Sequence, residues 1–247
     1  YGLPETMVTD GPSGLRKQCA DSDMLGINQS VPATCMPGAC TTACSFDPDV
    51  TYKIGQALGD ECRKEHVSVI LGPGVNIKRS PLCGRNFEYY SEDPLLAGEM
   101  GAGLINGVQS KDIGTSMKHF ACNSQETRRM VSDSIVDDRA LHELYLANFE
   151  TAVKKAQPWT IMYAYNRVNG TYCYENKEII TDELKNRWGF RGLTVSDWGA
   201  CGYAPDAVAA GNDLEMPGPV KASASRIKNA IAAGTLTQQQ LDTAVSN

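Results

Sequence analysis

The chain has 247 residues and a formal net charge of −6, and it lacks the dense Lys/Arg cluster that a nucleic-acid partner needs. Hydrophobic residues make up 42% of the sequence and charged residues 21%, a balance typical of globular domains and unlike that of disordered or fibrous chains. No apolar run approaches the roughly 18 residues that span a bilayer, so neither a membrane nor a nucleic acid is expected as a partner.

Short apolar segments rich in β-branched residues alternate along the chain with longer segments of helical period. In chain order, the pattern predicts strands over residues 7–9, 67–71, 115–117, 160–163, 193–196 and 213–215. It predicts helices over 48–64, 94–108, 137–155 and 176–188, several with acidic residues near their starts. This alternation predicts an α/β fold built on a parallel sheet.

The length and the alternation together predict one domain over residues 1–247, a TIM-type (β/α)8 barrel, which typically takes about 250 residues. The segment 21–45 is rich in Cys, Thr, Pro and Gly and has no clear period, although a strand near 40–46 could lie there. The sequence pattern shows six or seven strands, so we expect a barrel of six to eight strands that is incomplete or irregular. The first strand follows almost directly on Tyr1, so we also expect the chain to be a fragment.

The nine cysteines show no paired CxxC spacing, and a chain of this length folds without disulfide bonds. We therefore expect reduced thiols in the core and a cytoplasmic protein, with secretion as the alternative. The three histidines are scattered without ligand spacing, so neither a metal nor another cofactor is expected.

Polar residues stand at the carboxyl ends of four predicted strands, the edge at which parallel barrels build their active sites. They are Asp10 after MVT, Lys118 and His119 after TSM, Tyr165 after TIMYA, and Asp197 after LTVS. Each alone could have a structural role, such as capping the next helix, but five such residues at one edge predict a pocket.

Charged and hydroxyl groups next to Trp198 suit a neutral polyhydroxylated ring, whose apolar C–H patch packs on an aromatic face. A sugar is therefore the expected ligand. A carboxylate at this edge can attack an anomeric carbon and form the covalent glycosyl-enzyme that defines retaining glycosidases. That mechanism needs a second carboxyl group, which acts as acid and base.

Six ordered segments resemble the barrel domain of family 3 glycoside hydrolases, in particular its β-glucosidases. They are TDGPSGLR (9–16), GPGVNIKRSPLCGRNFEYYSEDP (72–94), MKHFACNSQE (117–126), TIMYAYNRVNG (160–170), GFRGLTVSDWGA (189–200) and GNDLEMPG (211–218). The likeness covers nearly the whole chain. It implies hydrolysis of small β-glucosides or oligosaccharides at terminal β-D-glucosidic bonds, with retention of configuration.

The family motif ending in SDW carries the nucleophile, so the resemblance assigns this role to Asp197. Matching of the other motifs implies that the hydroxyls of the sugar in the first subsite are bound by Asp10, Arg85, Lys118, His119 and Tyr165. The same matching implies that Trp198 lines that subsite. We expect the positive charges of Arg85 and Lys118 to keep Asp197 ionised.

In two-domain members of the family, the acid and base is a glutamate on an α/β sandwich domain, which we expect to lie outside this chain. A single-domain branch, the β-N-acetylglucosaminidases, instead uses an Asp-His pair in a loop after KHFPGHG. The equivalent segment here, KHFACNSQETRRMVSDS, has no second histidine, which disfavours that branch. Structural roles are expected for the other carboxylates near the motifs, namely Glu88, Glu92, Asp93, Glu126 and Asp213.

Three alternatives stay open at this stage. Lys118 at its strand end could form a Schiff base, as in barrel aldolases. A chain without its acid and base could be a non-catalytic sugar-binding fragment. The substrate could also be a β-xyloside or a β-N-acetylglucosaminide instead of a β-glucoside.

Overall fold

The computed structural model describes residues 4–19, 27–218 and 220–247. In these ranges the strands are, in chain order, β1 (Val8–Asp10), β2 (Val69–Leu71), β3 (Gly114–Phe120), β4 (Asp133–Ser134), β5 (Thr160–Tyr163), β6 (Arg167–Val168), β7 (Thr171–Tyr172) and β8 (Leu193–Ser196). The main sheet is parallel and has the order β1-β2-β3-β5-β8, while β4, β6 and β7 form a small separate sheet.

The helices are α1 (Ala39–Ala43), α2 (Pro48–Lys64), α3 (Pro94–Gln109), α4 (Asp138–Ala140), α5 (Ala147–Ala156), α6 (Ala204–Ala210), α7 (Lys221–Ala232) and α8 (Gln238–Ser246). Two π-helical segments, Leu141–Tyr145 and Glu178–Arg187, and a 3-10 turn, Cys173–Glu175, accompany them. No helix of the described ranges is both long and apolar enough to cross a membrane.

The predicted α/β class with a parallel sheet is confirmed, and five of the six predicted strands occur in the main sheet. The sixth, 213–215, is reduced to a single bridge between Leu214 and Val195. Beyond Leu214, the backbone N–H of Met216 donates to the Ser196 hydroxyl oxygen instead of a strand carbonyl, and Pro217 has no N–H to offer a ladder. The hydrogen-bonded ladder of the described residues therefore has β1 at one end and Leu214 at the other.

The segment 40–46, in which a strand was possible, contains α1 instead. The residues buried in this helix, Ala39, Thr42 and Ala43, recur at a spacing of three and four, which is a helical and not a strand period. Residues 20–26 of the same irregular stretch lie outside the described residues. The predicted helix 137–155 is also divided, because α4 passes into the π-helical segment Leu141–Tyr145 before α5 begins.

The helices α2 and α3 start where their sequences provide a cap. Asp47 accepts a hydrogen bond from the backbone N–H of Asp49, and Asp93 accepts from those of Leu95 and Leu96. A proline follows each aspartate at the first helical position, where its missing N–H costs nothing. The predicted start of each helix is therefore confirmed, and Asp93 has the structural role expected of it.

The core lies between the main sheet and the helices. In it, Phe120 makes edge contacts with Phe149 of α5 and with Trp188. β3 is buried over its whole length, so its last residues, including Lys118 and His119, are drawn into the protein interior.

All nine cysteines are free thiols. The expectation that they lie in the core is correct for Cys62, Cys83, Cys122 and Cys173 and wrong for Cys19, Cys35, Cys40 and Cys44, which are exposed.

Candidate active site

The carboxyl ends of the main strands bring distant polar residues together. Asp10 ends β1, and its Oδ1 lies 3.2 Å from Nζ of Lys118 near the end of β3. Asp197 directly follows β8, and its Oδ2 lies 3.8 Å from Nε2 of His119. The residues predicted at this edge therefore converge, because parallel strands place their carboxyl ends on one side of the sheet.

A chain of ion pairs links Asp10 to Arg85, which comes from the long loop after β2. Lys118 lies between Asp10 and Glu88, with 3.6 Å from its Nζ to Oε2 of Glu88. Glu88 in turn accepts a hydrogen bond from Nε of Arg85 over 2.6 Å. The Lys118 and Glu88 side chains are each 3% exposed, so each buried charge has an opposite charge beside it.

The Asp197 carboxylate is held by one of its oxygens. Oδ1 accepts from the backbone N–H of Trp198 over 2.7 Å, and it lies 3.1 Å from the Tyr165 hydroxyl. That hydroxyl is also 2.8 Å from the Trp198 carbonyl oxygen. Oδ2 is buried and has no hydrogen-bond partner among the described residues. One oxygen is thus anchored while the other is left for a ligand.

Burial raises the pKa of Asp197 above its ordinary value. The Trp198 N–H, the charges of Arg85 and Lys118, and the Tyr165 hydroxyl all act in the opposite direction. The two cations therefore favour the ionised carboxylate as expected, but the loss of hydration outweighs them.

His119 lies in the interior as a neutral ring. Burial is the main reason that its pKa falls well below the ordinary value, and the positive charges of Arg85, Lys118 and Arg129 add to the effect. The Nδ1 atom of His119 is 3.0 Å from the Tyr89 hydroxyl. The contact between His119 and Asp197 is therefore one between a neutral imidazole and a carboxylate.

Trp198 contributes to the site through its backbone, which contacts Asp197 and Tyr165. Its partly buried ring packs against a small cluster of Leu71, Met162 and Val195.

Three residues of this site were not predicted from the sequence to belong to it. Glu88, for which a structural role was expected, is the shared ion-pair partner of Arg85 and Lys118. Tyr89 contacts His119, and the guanidinium carbon of Arg129 lies 4.5 Å from the centre of the Tyr165 ring. Glu88 and Tyr89 stand three and four residues after Arg85, and that proximity was the one available signal.

The other carboxylates near the motifs form ion pairs or are exposed to solvent. The Asp213 side chain is 1% exposed and pairs with Lys185 over 2.8 Å, and it also accepts from the backbone N–H of Thr194. Glu126 pairs with Arg129 over 2.8 Å, and Glu92 is exposed.

The known proteins that this chain resembles are glycoside hydrolases. The family model for the glycosyl hydrolase family 3 N-terminal domain matches residues 5–247. The chain is 54% identical over 244 residues to thermostable β-glucosidase B of Acetivibrio thermocellus, covering 99% of this chain and 32% of that protein. It is 50% identical over 242 residues to an exo-α-(1→6)-L-arabinopyranosidase of Bifidobacterium longum, covering 98% of this chain and 32% of that protein.

Among solved structures, β-glucosidase 3B from Thermotoga neapolitana in complex with glucose superposes with a TM-score of 0.92 at 43% identity. The match covers 100% of this chain and 35% of that one. The chain therefore spans about a third of the length of the relatives it matches.

Proposed function

The chain belongs to glycosyl hydrolase family 3, and on this basis we propose that the protein hydrolyses terminal β-D-glucosidic bonds with retention, using Asp197 as the nucleophile. The observation that carries the proposal is the state of the Asp197 carboxylate. Its Oδ1 is anchored by Trp198 and Tyr165, whereas its Oδ2 is buried and has no hydrogen-bond partner among the residues that the structure describes. A nucleophile needs this combination of a fixed position and one oxygen left unbound.

In the first step, Oδ2 of Asp197 forms a bond to the anomeric carbon as the bond to the leaving-group oxygen breaks. That oxygen takes a proton from the acid. In the second step, water loses a proton to the same acid and base residue and attacks the anomeric carbon, which releases the sugar and the Asp197 carboxylate. Two displacements at one carbon give net retention.

The surrounding residues would hold the sugar in the first subsite. Asp10 accepts hydrogen bonds, while Arg85 and Lys118 only donate, so hydroxyl groups can be recognised in both directions. The related β-glucosidase 3B from Thermotoga neapolitana was solved with glucose, which supports a pyranose as the ligand. Lys118 is engaged as an ion by Asp10 and Glu88, and this opposes the Schiff-base alternative.

We place the acid and base outside this chain, on an α/β sandwich domain such as two-domain family members use. The length of the relatives, about three times that of this chain, supports this placement.

An α-L-arabinopyranoside is a second candidate substrate, since a Bifidobacterium longum enzyme of that specificity is 50% identical to this chain. Initial rates with a matched panel of aryl β-glucosides, β-xylosides and α-L-arabinopyranosides would decide among these specificities.

The test of the nucleophile is Asp197→Ala in the complete protein. We expect turnover of aryl β-glucosides to be abolished, and we expect azide to restore part of it as the inverted α-glycosyl azide, because azide fills the space of the missing carboxylate. Asp206→Ala, which removes an exposed aspartate, is the control and should keep normal activity. Turnover of the Asp197 variant near that of the control would remove Asp197 as nucleophile.

A further inference from the structure

Three buried side chains form a hydrogen-bonded row behind the site. Nδ2 of Asn123 donates to the Tyr89 hydroxyl oxygen over 3.2 Å, and the same hydroxyl is 3.0 Å from Nδ1 of His119. Tyr89 is 0% exposed, Asn123 is 3% and His119 is 1%, so water does not compete for these bonds. The row comes from the loop after β2, the end of β3 and the turn that follows β3.

The direction of the row can be read from its first member. Asn123 donates to the Tyr89 oxygen, and among the described residues Nδ1 of His119 is the acceptor within hydrogen-bond reach of the phenol proton. When the phenol donates to Nδ1, the single proton of the neutral ring is carried by Nε2. Burial raises the pKa of Tyr89 well above its ordinary value, which keeps the phenol protonated as a donor.

The other side of the imidazole favours the same arrangement. Nε2 faces Oδ2 of Asp197 at 3.8 Å. An N–H group directed toward a carboxylate is attracted to it, whereas a lone pair in that position would be repelled. The row and the carboxylate therefore select one tautomer from opposite sides of the ring.

We infer that Tyr89, held by Asn123, is a positioning residue that fixes His119 as the Nε2–H tautomer and so directs a hydrogen-bond donor into the sugar site. A sugar hydroxyl that accepts from Nε2 keeps its own proton available for a carboxylate. The catalytic part of this inference rests on the proposed function, while the tautomer itself does not.

The tautomer can be measured directly in the complete protein labelled with 15N-histidine. Long-range ¹H–¹⁵N spectra distinguish the protonated from the unprotonated ring nitrogen, and the His119 signals are assigned as those lost in His119→Gln. We expect Nδ1 to be the unprotonated nitrogen. An unprotonated Nε2 would overturn the inference, whether or not the protein hydrolyses glycosides.

Two variants test the row. Asn123→Asp introduces a carboxylate that accepts the phenol proton, so Tyr89 must accept from Nδ1–H and the tautomer should reverse. Tyr89→Phe removes the hydroxyl and should lower kcat/KM for an aryl β-glucoside about three- to tenfold, the scale of one hydrogen bond. The matched control is Tyr90→Phe, since Tyr90 is also buried but belongs to the hydrophobic core cluster.

An unchanged tautomer in Asn123→Asp, or equal kinetics for the two phenylalanine variants, would contradict the positioning role. If Tyr89→Phe does not fold, the wild-type and Asn123→Asp spectra still decide. A confirmed tautomer in a protein without glycosidase activity would refute the proposed function alone.

Discussion

The Glu88 carboxylate lies between two cations and is almost completely buried. It is 2.6 Å from Nε of Arg85 and 3.6 Å from Nζ of Lys118. Lys118 has Asp10 as a second partner, whereas Glu88 is the one carboxylate that forms an ion pair with Arg85 in the described part of the chain. The position of Arg85 at the proposed sugar site therefore depends on Glu88.

Glu88→Gln should destabilise the protein and weaken catalysis together. Removing one partner of a buried pair typically costs about 3–5 kcal/mol, because an uncompensated charge is left behind. Urea unfolding and kcat/KM would be measured, with the exposed neighbour Glu92→Gln as control. A Glu88 variant as stable as the control would mean that water or another group compensates Arg85.

A second prediction at this scale concerns the pH dependence of Asp197. As the proposed nucleophile, Asp197 must be ionised. Burial raises the pKa of its carboxyl group, while the Tyr165 hydroxyl lowers it. Tyr165→Phe removes a lowering contribution, so the pKa rises further and the acid limb of kcat/KM should move to higher pH. The control is Tyr52→Phe, which changes a tyrosine of α2 outside the site and should leave the acid limb of kcat/KM unchanged. An acid limb that stays in place or moves to lower pH would contradict the hydrogen bond.

The backbones of helices α2 and α3 come into close contact at glycine positions. A Cβ atom built on Gly107 would lie 2.1 Å from the Tyr52 carbonyl oxygen, and one on Gly55 would lie 2.5 Å from that of Leu104. Both obstacles are backbone atoms of the facing helix, so a side-chain rotation cannot relieve the clash. These glycines are therefore required by the packing of the two helices.

Gly107→Ala should destabilise the fold. Alanine favours a helix over glycine by about 0.5–1 kcal/mol, but overpacking against backbone costs about 1–3 kcal/mol, so the clash decides the sign. The control, Asn106→Ala, introduces alanine at the adjacent, exposed position. Its free energy of unfolding should lie within about 0.5 kcal/mol of that of the wild type. The difference is read from urea unfolding, and a stabilised Gly107 variant would show that the helices can separate without loss.

The chain spans about a third of the length of its relatives, and we propose that the acid/base residue lies in the remaining part of the complete protein. A leaving group that is already a stable anion needs little protonation, whereas the alcohol released from a disaccharide needs a proton donor. The two substrate types therefore report separately on the nucleophile and on the acid.

The 247 residues alone should react with dinitrophenyl β-glucoside far more readily than with cellobiose. Relative to the complete β-glucosidase B of Acetivibrio thermocellus, the gap between the substrates should widen about 10²- to 10⁴-fold, the usual contribution of a general acid. Thermal unfolding would verify that the chain is folded, and Asp197→Ala would serve as the blank. If the ratio of the two rates equals that of the complete enzyme, the acid lies within this chain. Glu126 would then be the first residue to replace, because its Oε1 has no hydrogen-bond partner among the described residues.

Features that depend on neighbours along the chain follow from the sequence alone. The Asp47-Pro48 and Asp93-Pro94 pairs fixed where α2 and α3 begin, since a cap and a proline act within one helical turn. The alternation of apolar segments determined the α/β class and the parallel sheet. It also predicted that Asp10 and Asp197 meet at one edge, because the direction of parallel strands is enough to place their ends together.

How the groups at that edge affect one another depends on contacts between distant parts of the chain. The partners in the row behind the site are 30 and 34 positions apart, from Tyr89 to His119 and to Asn123, and their meeting depends on the path of the loop after β2. The pKa of Asp197 likewise could not be assigned from sequence, because the two cations alone predict a lower pKa, whereas burial of the carboxyl group raises it. Desolvation is a sum over all surrounding atoms, and no local pattern of residues contains that sum.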